Sequence, residues 1–151
     1  MLELLVVIAI IGILAGTITV AVQNARVKAR DARRAADMRQ MITSMEQYKI
    51  AHAGYPTGTG SIASAGAGVG LDDPTAINGT EEPFVPNYIG MLPVAPDPAD
   101  GSCANSGAAG GNHYWYQVED NGSFYTMTFC LGKDTGQWPA GVRIATPDGV
   151  Q

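Results

Sequence analysis

The chain has 151 residues, 9 Lys plus Arg against 14 Asp plus Glu, 46% apolar residues and two cysteines. That length suits one modest domain, and a net charge of -5 argues against a general binder of nucleic-acid phosphates. The averages conceal a split: residues 1–53 carry seven basic and four acidic side chains, and residues 54–151 carry two basic and ten acidic. All 9 prolines and 17 of the 19 glycines follow Ala53, so a helix-permitting stretch is joined to a turn-rich one.

Residues 4–22 contain no charge and only Thr17 and Thr19 as polar members. As a helix this run is roughly 28 Å long, close to the ~30 Å hydrocarbon thickness of a bilayer. Residues 1–24 therefore read as an apolar transmembrane or filament-core helix. A cleaved secretory signal fits less well, because its apolar region is shorter and follows a basic stretch. No Gly or Pro interrupts the chain from Val22 to Ala53, and alanine and arginine, both helix formers, dominate. Residues 25–53 thus read as an amphipathic continuation. Asp31 with Arg34, and Arg33 with Asp37, have the spacing of surface ion pairs worth about a few tenths of a kcal/mol each. Ala35, Met38, Met41, Ile42, Met45 and Tyr48 recur at helical spacing as one apolar stripe, which needs a partner and is read as core.

One helix from residue 2 to 53 would be roughly 78 Å long, against a radius of gyration of about 15 Å for a compact chain of this size. The helix must protrude. Its second half can lie on the rest of the chain, but its first half needs a bilayer or the same helix from other copies.

Glu3 opens the apolar run, where a buried charge costs several kcal/mol unless paired or kept at an interface. A helix N-terminus tolerates an acid through the macrodipole. In a bundle of identical helices the nearest cation at that level is the α-amino group of a neighbouring copy, and a staggered bundle would bring the two together. Gly12 and Gly16 form a G-x-x-x-G spacing that lets helices approach closely. They also make residues 12–19 the expected place for any bending or melting, at roughly 1 kcal/mol per glycine.

Residues 3–15, Glu-Leu-Leu-Val-Val-Ile-Ala-Ile-Ile-Gly-Ile-Leu-Ala, resemble the N-terminal segment of type IV pilins and type II secretion pseudopilins. The resemblance extends to Tyr55-Pro56, where such helices commonly end, and more loosely to Leu92-Pro93 and the late Tyr-rich segments. It implies that Glu3 neutralises a neighbour's N-terminus and guides assembly. It further implies removal of a basic leader by a prepilin peptidase, residence in the inner membrane, and extraction into a filament by pilus assembly machinery. The family motif opens with Phe and Thr, and Met1 stands where Leu is usual. Either a leader and two residues precede this sequence, or its N-terminus differs from the family's. Many family helices carry a proline kink about twenty residues in, whereas no proline precedes Pro56 here. Six basic residues between Arg26 and Arg39 would hold the C-terminal side in the cytoplasm, and a removed basic leader would restore the opposite orientation.

Residues 54–151 read as a β-rich head. Cys103 and Cys130 are the expected disulfide of a domain outside the cytoplasm, since two thiols without paired His or Cys cannot complete a tetrahedral metal set. Strands are predicted over 113–119 and 123–131, joined by a tight turn at Asp120-Asn121-Gly122, with a third over 141–146. The sheet has one face to hide and the Met stripe is its cover, giving an α+β fold: a long helix packed by its second half on a small antiparallel sheet. Residues 58–70, nearly all Gly, Ala, Ser and Thr, read as a flexible loop, and residues 83–98, with five prolines, as an extended surface segment. The Gly66-x-Gly68-x-Gly70 spacing lacks the flanking strand and helix of a nucleotide site. Asp97, Asp100, Asp134 and Asp148 read as solvated turn carboxylates rather than Ca²⁺ ligands. Asn78 and Asn121 head N-x-S/T sequons and are candidate glycosylation sites.

No catalytic motif stands out, and His52 and His113 read as surface or helix-end residues. No cofactor, metal or catalytic residue is expected. The expected function is that of a major pilus subunit: an extracellular helical homopolymer assembled through Glu3, Gly12 and Gly16. The alternatives are a pseudopilin of a type II secretion machine, or an anchored minor pilin that binds DNA through residues 26–39, which the overall charge disfavours.

Overall fold

The computed structural model describes residues 2–56, 59–62, 84–103, 113–119 and 122–151. Helix α1 spans Leu2–His52 without a break, about 77 Å at the helical rise. Residues 12–19 are helical throughout. Thr19 donates its hydroxyl to the carbonyl of Ala15 at 3.1 Å, so one of the run's two polar groups is satisfied inside the helix. α1 ends where Ala53 takes a left-handed φ of 58° and Tyr55 turns back to donate its amide to Gly122 at 2.7 Å.

Five antiparallel strands follow in the order β1-β2-β3-β4-β5: Thr59–Ile62, Tyr114–Glu119, Phe124–Leu131, Gly141–Thr146 and Gly149–Val150. Each pairs with its sequence neighbour, Tyr116 facing Met127 and Met127 facing Ala145. This is the expected α+β architecture, with β2, β3 and β4 within a residue of their predicted limits. Alternation puts Tyr114, Tyr116, Tyr125, Met127 and Phe129 on the inner face, where they form one buried cluster with Met38, Met41, Met45 and Tyr48 of α1. The Met stripe covers the sheet as predicted. Two of the three inner-face phenols find partners at its margin, Tyr114 donating to Asp37 at 2.7 Å and Tyr116 to the carbonyl of Pro56 at 2.6 Å. The Tyr125 hydroxyl is buried without one among the described residues. Burial pushes both bonded phenols well above their ordinary pKa.

Three expectations need correction. The loop read over 58–70 contributes β1, whose Thr59 to Ile62 pair with Gln117 to Tyr114. A Gly/Ser-rich segment becomes a strand here because β2 supplies a complete ladder for it. The proline-rich segment is no surface strap: it holds a short helix α2, Phe84–Asn87, and buries Phe84, Ile89, Leu92 and Ala95 in the core. Its apolar residues close the part of the core that five short strands leave open. The predicted Arg33–Asp37 pairing is replaced by the Asp37–Tyr114 hydrogen bond. Of the 120–122 turn only Gly122 is described, with a φ of 91° that suits a glycine turn. Asn78 and Asn121 lie outside the described residues.

Candidate assembly surface

The apolar run at the start of α1 is left uncovered by the rest of the chain. Its large apolar residues, from Leu4 at 73% to Val22 at 43%, are all exposed. Such a stripe on a water-soluble monomer would far exceed the usual apolar patch. The helix is long and apolar enough to cross a membrane. Glu3 sits in its first turn, exposed, as the single acid there. A Cβ added to Gly12 or Gly16 would meet open space, so both glycines leave a shallow, unfilled step on the rod. Glu3 and the two glycines thus lie on the same uncovered stretch of the helix, with Glu3 about 180° around the axis from Gly12.

Besides the Met stripe, a polar neck that the sequence conceals holds the rod to the head. Asp31 and Arg34, expected as a surface pair, are 1% and 2% exposed. Arg34 donates to Asp31 at 2.8 Å and to the carbonyls of Pro96 and Pro98 at 2.8 and 3.2 Å. Asp31 accepts the amides of Gly132 and Lys133 at 3.0 and 2.9 Å. One turn earlier, Arg30 grips Asp100 with Nε and Nη2 at 2.5 and 2.6 Å. Asp100 is therefore not the solvated turn carboxylate expected: the head folds it onto the helix because two arginines await it there. Asp134 keeps a local role, accepting the amide of Ala140 at 2.6 Å. Among the described residues no three His, Cys, Asp or Glu side chains come together as a metal site.

The two loops that Arg34 and Asp31 hold are joined to each other. Cys103 and Cys130 form the disulfide, with Cα atoms 5.6 Å apart. Beside it the backbones of residues 100–101 and 132 approach so closely that a Cβ at Gly101 would lie 2.5 Å from the carbonyl oxygen of Gly132. Gly101 also has a φ of +54°, so both constraints call for glycine. Farther along, Arg39 reaches Gln137 and stacks 5.5 Å from the ring of Trp138. Lys49 and Glu46 both bond the hydroxyl of Tyr55. His52 lies stacked on Tyr48, with ring centroids 4.1 Å apart, and so caps the aromatic end of the core.

Hydrogen bonding to Arg30 holds the Asp100 carboxyl below its ordinary pKa despite partial burial, and the same bond raises Arg30. In the range below the ordinary carboxylate pKa of about 3.9 the unfolded chain binds a proton here that the folded chain refuses. The stabilisation is therefore present above that pH and is lost as the pH falls through the lower folded value. An unfolding series from neutral to strongly acid pH should show a steeper acid loss for the native protein than for Asp100→Asn. Parallel acid limbs would remove Asp100 from this role.

The signal for the neck was present as an Arg/Asp-rich helix turn, but its partners lie 62 to 102 residues away. No family model, curated protein or solved structure matches this chain.

Proposed function

We propose that this protein is a type IV pilin-like structural subunit, which rests in a membrane through residues 4–22 and polymerises through the same residues into an extracellular filament. The observation that carries this reading is the contrast along one helix. Its second half is buried on the head, while its first half exposes an uninterrupted apolar surface headed by Glu3. A bilayer or a bundle of sister helices hides such a surface, and moving from the first to the second needs no change of fold. The resemblance of residues 3–15 to pilin N-termini points to the bundle, with Glu3 facing the α-amine of a neighbour. The polar neck and the disulfide support the same role, since they hold a globular shell to the rod.

Glu3→Ala should insert into membranes as the native chain does but fail to assemble. Breaking one partner of a buried ion pair costs about 3–5 kcal/mol, a hundredfold or more in an assembly equilibrium. Electron microscopy of sheared surface material, with membrane fractionation as control, reads both effects. Normal filament yield from the variant would end the pairing role. A native chain that stays monomeric and soluble without detergent would end the whole proposal.

A further inference from the structure

We infer that Lys133 of the head, with Arg26 and Lys28 of the helix, forms a cationic collar that binds the phosphates of anionic phospholipids while the subunit rests in a membrane. This rests on the proposal that residues 4–22 span a bilayer.

The argument begins with level. Lys133 belongs to the turn after β3, yet its Nζ lies 2.6 Å from Oδ1 of Asn24, 109 residues earlier. The fold thereby lowers a head cation to within two residues of the end of the apolar run at Val22. At 1.5 Å per residue, Asn24, Arg26 and Lys28 stand about 3, 6 and 9 Å beyond that end. A headgroup layer occupies roughly the first 5–7 Å outside the hydrocarbon on each side. Long basic side chains reach several ångströms along the axis and adjust to that depth. All three charges therefore fall at phosphate level.

Direction and availability agree with this. Lys28 is one helical turn from Asn24 and shares its face with Lys133, while Arg26, at about 100° per residue, emerges from the opposite side. The charges surround the rod rather than cluster on it. Arg26 and Lys28 are exposed, and the ion pairs found among the described residues belong instead to Arg30 and Arg34, farther from the apolar end. Asp31 and Asp134 line the same shallow cavity as Lys28; Asp31 is paired with Arg34, so Asp134 takes back one charge and the collar stays positive. The rest of the sequence has the opposite sign: residues 54–151 hold ten acids and two bases, Lys133 being one of the two, so an anionic surface that attracts the collar repels the net charge of the head. That sign reversal favours a membrane over a nucleic acid, which would meet the acidic head at the same time.

The test uses the full chain reconstituted in vesicles of phosphatidylcholine and phosphatidylglycerol at low salt, with trace spin-labelled forms of each lipid. Electron spin resonance reads the fraction of each label held at the protein surface, and flotation reads insertion. A basic side chain near an anionic surface strengthens association by about fivefold. The native chain should hold phosphatidylglycerol about fivefold over phosphatidylcholine, with the preference fading in 1 M salt as screening shortens to about 3 Å. R26Q/K28Q/K133Q should float equally well and show no preference, and R26K/K28R/K133R should retain it. Equal retention of both lipids by the floating native chain overturns the collar, as does a preference that survives the glutamine variant. Equal retention with salt-sensitive self-association would give these charges to the acidic head of a second copy, and also overturns it. Failure of the native chain to float sinks the membrane reading itself, and the collar with it.

Discussion

Arg34→Ala should lower the unfolding free energy of the full-length protein in detergent by about 3–5 kcal/mol, the cost of leaving a buried charge without its partner. Small domains are stable by about 5–15 kcal/mol, so the loss is a large share of the total. The effect has two sources. Asp31, 1% exposed, would keep only the amides of Gly132 and Lys133, and the carbonyls of Pro96 and Pro98 would lose a donor. Urea unfolding followed by the fluorescence of Trp115 and Trp138, both half-buried in the head, measures it. Arg33→Ala, one residue away and exposed, is the control and should cost at most about 0.5 kcal/mol. Equal effects from the two variants would show that the neck does not hold the head.

The paired replacement Cys103→Ala with Cys130→Ala should cost about 3–4 kcal/mol on the loop-closure model for a separation of 27 residues. Both cysteines are buried, at 1% and 2%, so substitution is a cleaner probe than a reductant that must first reach the bond. An unchanged urea midpoint would sink this prediction. The bond ties the segment held by Arg34 to the turn held by Asp31, so the two losses share one structural cause. A combined variant should therefore lose less than the sum of its parts, as coupled neighbours do.

Much of the fold was legible because it is local. The spacing of Met38, Met41, Met45 and Tyr48 declared the buried face of α1, and the aromatic alternation of 114–119 and 124–131 declared the central hairpin. What remained hidden depends on distant partners. β1 has only Thr59 as a strand former before Ile62 and exists through its register with β2. Phe84, Ile89 and Leu92 sit among prolines that suggest exposure, and only the gap beside the short sheet explains their burial. The exposed apolar run is legible directly, since an uncharged stretch announces itself. The neck is not: Asp31 and Arg34 have the spacing of an ordinary exposed pair, and nothing nearby reveals that the head closes over them.

The neck has a mechanical consequence. α1 is fastened to the head at Asn24, Arg30, Asp31, Arg34, Asp37, Arg39, Glu46 and Lys49, points spread along roughly 38 Å of rod. A pull along the rod loads these attachments side by side, in shear, so they must yield together rather than peel one after another. The strands of the sheet are not in series with that load, and the head can be dragged by its base without its own ladders being stretched.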